Sequence, residues 1–90
     1  MAKAVVDPDE MRRFAAELKR FTGNLQAEII GIHRQFKRLG ETWRDQEQAK
    51  FAEEFEVMVH ALSVFAEVSE KQVPSLLRKA EAIQNYLDQR

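Results

Sequence analysis

The chain has no cysteine and has only three glycines and two prolines among its 90 residues. Without cysteine it can form neither a disulfide nor a thiolate metal site, and thiol catalysis is excluded. So few turn-forming residues leave no stretch that resembles a series of strands and tight turns. Ninety residues fit one domain, so we predict a single helix-rich domain over residues 1–90.

Long apolar runs and a charge imbalance are also absent. No window approaches the roughly 20 apolar residues that a membrane-spanning helix needs, and the first residues lack the apolar run of a signal peptide. We predict no membrane insertion, and a protein that is cytoplasmic or is exported without a signal peptide. Because 14 Lys and Arg stand against 15 Asp and Glu, no net field attracts nucleic acid or an anionic membrane.

Helix signals are present from the start of the chain. Asp7 can cap a helix, and Pro8 suits its first position. Gly40 follows the basic pair Lys37 and Arg38, as at a helix carboxyl end. Between these signals apolar residues recur at steps of three and four, which predicts one helix over about 8–39: Met11, Phe14, Leu18, Phe21, Leu25, Ile29, Ile32, Phe36 and Leu39. Gly23 and Gly31 lie inside it, and we interpret them as sites where a neighbouring helix approaches closely.

A second start signal follows almost at once. Thr42 and Asp45 have the spacing of a capping box, which predicts a turn at 40–42 and a second helix over about 43–88. So short a connection forces two long helices to lie antiparallel. Pro74 removes a backbone donor, so we expect a kink or a short break around residues 69–74.

The second helix is apolar over more than one face. Its main stripe is predicted to face the first helix, while residues 57–68 are apolar nearly all round, which is wider than one helix can shield. The candidate core and interface residues are Phe51, Phe55, Met58, Val59, Leu62 and Phe65. We therefore predict an all-α antiparallel two-helix hairpin that pairs as a dimer into a coiled-coil-like four-helix bundle. A third helix that folds back after Pro74 is the alternative.

Catalytic and ligand-binding patterns are missing from the sequence. His33 and His60 stand outside any cluster with metal-ligand spacing, and Glu53, Glu54 and Glu56 are typical of a solvated acidic face. There is no phosphate-binding loop and no nucleophile signature. We predict no enzyme, no cofactor and no metal. Basic residues in the first helix suggest nucleic acid, but acidic residues at the start of the second can neutralise them, so no nucleic-acid binding is predicted.

The turn carries a family likeness. Trp43, in the segment Leu39-Gly40-Glu41-Thr42-Trp43-Arg44-Asp45, with Phe51 eight positions further on, resembles the Trp-X-Gly (WXG) hairpin family, the early secretory antigenic target-like substrates of type VII secretion. The turn motif is thus Gly40, Trp43 and Asp45, with Asp45 at the family's glycine position. An acid suits the third position of a helix, but it cannot serve a role that needs a glycine's close approach.

The resemblance implies a non-enzymatic protein–protein interaction protein, either a type VII secretion substrate or its chaperone-like partner. It implies a homodimer or a heterodimer with a related hairpin, and contact with a secretion ATPase. Trp43 is either a core plug at the turn or part of the surface that docks to that ATPase. The family's carboxyl-terminal signal is Tyr followed four residues later by Asp or Glu; here Tyr86 is followed by Arg90, with Asp88 close by. The alternative function is an intracellular structural or adaptor bundle unrelated to secretion.

Overall fold

The computed structural model describes residues 6–89 and contains two helices in that range. Helix α1 spans Pro8–Leu39 and helix α2 spans Gln46–Asp88. Residues 40–45 connect them. The prediction of an all-α two-helix hairpin is confirmed. The amino-terminal residues used for the signal-peptide prediction and the last residue, Arg90, lie outside the described part of the chain.

Local hydrogen bonds explain where α1 begins. The carboxylate of Asp7 accepts a hydrogen bond from the backbone N–H of Asp9 at 2.9 Å, and its backbone carbonyl accepts from Met11 at 3.1 Å. Pro8 has no N–H and needs no partner there. Acidic residues occupy the first turn of α1, and the basic residues Lys37 and Arg38 occupy its last turn. Both groups of charges complement the helix dipole.

Helix α2 begins at Gln46, three residues later than the sequence signals predict. The carboxylate of Asp45 accepts the backbone N–H of Gln48 at 2.9 Å, which makes Asp45 the cap of α2. The hydroxyl of Thr42 instead donates backwards to the carbonyl of Leu39 at 3.4 Å. The predicted capping box was therefore wrong: Thr42 helps to close α1, and the connection needs residues 40–45 instead of 40–42.

Pro74 lies inside α2, which continues without interruption to Asp88. The predicted break around residues 69–74 is wrong, and residues 6–89 contain no third helix after Pro74. Proline removes one hydrogen bond without necessarily ending a helix when the flanking sequence favours helix. The kink near Pro74 stays a prediction, as does the single domain over 1–90.

The chain packs as two compact parts. The turn half is Gly23–Glu67, and the end half combines residues 6–22 with residues 68–89. In the turn half the buried apolar side chains are Ile29, Phe55 and Ala66. In the end half the buried side chains are mostly small: Ala15, Thr22, Ser69, Val73 and Ala80.

The predicted stripes therefore divide between core and surface. Of the residues expected in the core of α2, Phe55 is buried and Val59 is half-buried, but the others are exposed. Two packed helices bury only a narrow line on each, so large residues beside that line point outwards. The main stripe is therefore not fully covered by α1: Met58, Leu62 and Phe65 are exposed, whereas Phe51, although exposed, still has its ring 5.6 Å from that of Phe36 in α1.

The interpretation of the two helical glycines is also wrong within this chain. A Cβ atom added at Gly23 or Gly31 would have no neighbour within 4 Å. No close approach inside the hairpin therefore demands glycine at either position. Both remain points where α1 is weaker, by roughly 0.5–1 kcal/mol each, than it would be with alanine.

Candidate interaction surface

The turn is held by backbone hydrogen bonds. The N–H of Gly40 donates to the carbonyl of Phe36 at 3.1 Å, and the N–H of Trp43 donates to the carbonyl of Leu39 at 3.0 Å. No described residue, glycine included, has a positive φ, so Gly40 does not end α1 through a left-handed conformation. A Cβ atom at this position would lie 3.3 Å from the carbonyl oxygen of Lys37. This contact is tight, so any residue larger than glycine would crowd the end of α1.

Aromatic rings fill the space between the helices next to the turn. The ring of Phe55, only 6% exposed, lies 4.6 Å from that of Phe36 and 5.8 Å from that of Phe51. The ring of Trp43 lies 5.9 Å from that of Phe51. These centroid distances are those of favourable tilted or offset ring pairs. The aromatic cluster of Phe36, Trp43, Phe51 and Phe55 therefore fixes the two helices against each other at the turn.

Trp43 is half-buried, which is compatible both with a core plug at the turn and with a docking surface. One side of the ring packs on Phe51, as a plug would. A groove of about 570 Å³ lies at the same corner and is lined by Trp43, Phe51 and four charged residues, Glu47, Lys50, Glu53 and Glu54. The indole is therefore accessible to a partner while it closes the aromatic cluster.

A wide apolar surface of the turn half faces outwards. We call it the front surface; its members are all at least 40% exposed, and they are Ile32, Leu39, Phe51, Met58, Leu62 and Phe65. The first three share a groove of about 390 Å³ whose floor includes Phe36 and Phe55. The other three follow Phe51 along α2 at helical steps of seven, four and three, so they continue the same face.

The end half has exposed apolar residues of its own. Phe14, Phe21, Leu77 and Tyr86 are all exposed, and Tyr86 is the most accessible at 70%. Arg12 donates to the side-chain oxygen of Gln84 at 3.5 Å and forms an ion pair with Asp9 at 3.0 Å. Because Tyr86 is so exposed, the side chain of this predicted signal residue lies outside the core. Arg90 lies outside the described residues.

The histidine and carboxylate side chains are the described residues that could bind a metal. Residues 6–89 contain no cluster of three or more histidine or carboxylate side chains that could hold a metal ion. Nε2 of His33 lies 3.1 Å from a carboxylate oxygen of Glu56, and its ring stacks on Phe55 at 6.3 Å. His60 is exposed. Neither described helix has the length and apolarity to cross a membrane.

Sequence reasoning missed the division of the apolar residues between core and surface. The small buried residues gave the missed signal: Ala15 and Thr22 are seven residues apart in α1, as are Ala66 and Val73 in α2. A line of small residues at that spacing lets two helices approach closely, and it leaves the larger neighbours outside.

Comparisons with known proteins agree with this geometry. The crystal structure of the secreted protein EsxB from Bacillus anthracis str. Sterne is similar to this chain, with 28% sequence identity, a TM-score of 0.76 and coverage of 96% of this chain and 98% of that chain. A proline-to-alanine mutant of EsxB gives a TM-score of 0.80 at 28% identity, with coverage of 94% of this chain and 96% of that chain.

Curated proteins gave no match to the sequence. The family described as WXG100, proteins of 100 residues with WXG, matches residues 4–89. This match covers nearly the whole chain, including both helices and the Trp43 turn. The chain belongs to the WXG100 family.

Proposed function

We propose that this chain is a non-enzymatic interaction protein that pairs with a second hairpin through its front surface and is exported as a type VII secretion substrate or as the partner of one. The observation that carries the pairing is the exposure of the front surface, where Phe65 is 51% exposed. A monomeric soluble protein rarely leaves six adjacent large apolar side chains in water. A second hairpin laid on this face would complete a four-helix bundle.

Solution mass tests the pairing. Light scattering behind a sizing column should give a helical particle of about twice 10.5 kDa. A variant with M58D and F65D should lose this mass, because two carboxylates would be buried without partners. The matched control is V57D, which adds the same kind of charge to α2 outside the front surface. It should remain dimeric.

The other outcomes are equally informative. A chain that is unfolded or aggregated alone, but becomes soluble and helical when a related hairpin from the same genome is added, makes the pair a heterodimer. A stable, folded monomer at micromolar concentration would overturn the pairing. In a parallel pair Trp43 of one chain lies near Trp43 of the other, and in an antiparallel pair the two lie far apart. The distance between spin labels placed at Arg44 would distinguish the two arrangements.

Export is supported by family membership and by the similarity to a protein described as secreted. The exposed Tyr86 is the residue we propose for recognition by a secretion ATPase, with Trp43 as a second contact. The test is the amount of the chain in the culture medium of the native host, with and without that ATPase. Loss of export in Y86A, with folding retained, would assign the signal to this chain. Normal export of Y86A would assign it to the partner.

A second candidate is an intracellular adaptor bundle that is not exported. Two departures from the family pattern favour it: Asp45 stands where the family has glycine, and Arg90 stands where the signal needs an acid. In that case the chain would remain inside the cell whether or not the ATPase is present. A dimer that never enters the medium would support the adaptor over the secretion substrate.

A further inference from the structure

The front surface contains one side-chain atom that is neither carbon nor hydrogen. It is the sulfur of Met58, because the other members are isoleucine, leucine and phenylalanine. Met58 lies in the middle of the α2 part of this surface, seven residues after Phe51 and seven before Phe65. The residue is 53% exposed, and its unbranched side chain carries the sulfur near the tip. The surface that pairing would use therefore presents a thioether to water.

A methionine thioether has a well-defined and reversible oxidation. The lone pair of the sulfur attacks one oxygen of hydrogen peroxide, the O–O bond breaks, and an S–O bond forms. The other oxygen takes up the proton and leaves as water, so the sulfur loses two electrons and the peroxide gains two. The product is a sulfoxide, which is polar, accepts hydrogen bonds and can be reduced back to the thioether.

The position of Met58 separates the effect of this reaction on folding from its effect on pairing. Met58 is exposed and is not part of the aromatic cluster that fixes the turn half, so a sulfoxide oxygen can remain in water in the single hairpin. In the pair it would be enclosed by a surface whose other side chains carry no hydrogen-bond donor. A buried polar group without a partner is costly, so oxidation should weaken pairing and leave the hairpin folded.

Met11 provides a comparison within the same chain. It lies in α1, outside the front surface, and is half-buried. Leucine at either methionine keeps an apolar side chain of similar volume and removes the sulfur. Substituting the two positions separately therefore distinguishes oxidation of the front surface from oxidation elsewhere.

We propose that Met58 is a redox-sensitive modification site that regulates pairing: a peroxide converts it to the sulfoxide and blocks the front surface, and reduction restores that surface. The inference rests on the proposed function, since it requires a pair that buries Met58. Pairing and oxidation then oppose each other, because the pair covers the sulfur and the sulfoxide disfavours the pair. Peroxide therefore acts on the unpaired chain, and a pair that has already formed is protected.

The experiment starts with the purified chain, diluted until most of it is unpaired and then treated with hydrogen peroxide. Trypsin cleaves after Lys50 and so places Met11 and Met58 on different peptides, and mass spectrometry measures the oxygen gained by each. Sedimentation equilibrium should show the dissociation constant of the pair raised by about tenfold or more once Met58 is a sulfoxide. Methionine sulfoxide reductases for both epimers should return it to the untreated value.

Matched variants locate the effect. M58L should pair as the wild type does, and peroxide should not change its dissociation constant although it keeps the other methionines. M11L keeps Met58 and should respond to peroxide as the wild type does. In the wild type, oxidation of Met58 at a fixed peroxide concentration should slow several fold as the chain concentration rises through the dissociation constant. Circular dichroism of each sample measures whether the helices are retained.

Four results would overturn this inference while leaving the untreated pair intact. They are an unchanged dissociation constant with Met58 fully oxidised, an equal response of M58L, loss of helix before loss of pairing, and oxidation of Met58 at one rate at every chain concentration. An untreated chain that is a folded monomer at micromolar concentration would instead defeat the proposed pairing, and this regulation with it.

Discussion

The two halves of the hairpin are packed by different means. In the turn half, aromatic rings fill the space between the helices, and Phe55 contacts Phe36, Phe51 and the ring of His33. In the end half the buried positions are Pro8, Ala15, Thr22, Ser69, Val73 and Ala80, none of which is aromatic. The turn half is thus stabilised by a few large contacts, and the end half by close approach.

The difference indicates how stability is distributed. Burial of apolar area contributes roughly 25 cal/mol per Å², so large rings contribute more per residue than alanine and serine. The fully buried side chains of the end half therefore contribute less per residue, while its large residues Phe14 and Phe21 are exposed. We expect the turn half to hold its structure longest when the protein is destabilised.

The largest effect is expected for F55A. The ring is buried and lies between both helices at 4.6 Å from Phe36, so its removal should cost about 3–5 kcal/mol of unfolding free energy. Urea unfolding followed by circular dichroism, at equal chain concentration, measures it. The control V57A removes an exposed side chain from the same helix and should cost under about 1 kcal/mol. An equal loss in both variants would contradict the aromatic packing described above.

A larger side chain in the buried core of the end half should destabilise that half. Ala80 is fully buried, so A80L overfills a close helix contact and should cost about 1–3 kcal/mol. Hydrogen exchange should show faster exchange in residues 6–22 and 68–89 than in the turn half. The matched control is A82L, at an exposed position two residues away. If A80L and A82L behave alike, Ala80 does not mark a tight contact.

A smaller effect is expected at the start of α2. Asp45 accepts a hydrogen bond from Gln48, and D45A should cost about 1 kcal/mol of unfolding free energy. D45N keeps an acceptor and should cost less, while D45G restores the residue typical of the family and should cost only a few tenths. Thermal unfolding of the three variants ranks them. Full stability of D45A would show that the turn holds without its cap.

The smallest expected effect is a gain. Thr22 is 2% exposed, and its hydroxyl has no hydrogen-bond partner within the described residues. T22V keeps the shape and removes this buried polar atom, so it should stabilise the end half by roughly 1 kcal/mol or less. T42V, which removes an exposed hydroxyl that donates to Leu39, is the control and should not stabilise. Loss of stability in T22V would mean that the hydroxyl finds a partner in the assembled protein.

Strong local signals in the sequence predicted the two helices. Asp7 with Pro8, and Lys37 with Gly40, predict the limits of α1 because capping and dipole effects act within one turn. The start of α2 was misplaced because Thr42 and Asp45 are both good caps, and only the hydrogen bond to Gln48 decides between them. Helix periodicity also could not separate Phe55 from Phe51, since both lie on the apolar side of α2 and three-dimensional packing alone buries one and exposes the other.

The interaction roles named from the sequence stay predictions. Trp43 and Tyr86 were named from the family resemblance, and the structure places both at accessible positions.

The distribution of the two strongest chromophores has a practical consequence. The chain contains one tryptophan and one tyrosine; Trp43 packs on Phe51 in the turn half, and Tyr86 lies exposed in the end half. Trp43 emission therefore reports on the turn half alone. Excitation at long wavelength would follow the loosening of that half without any label, while far-ultraviolet dichroism follows both helices. If the fluorescence and dichroism unfolding curves do not coincide, the two halves unfold with different stabilities.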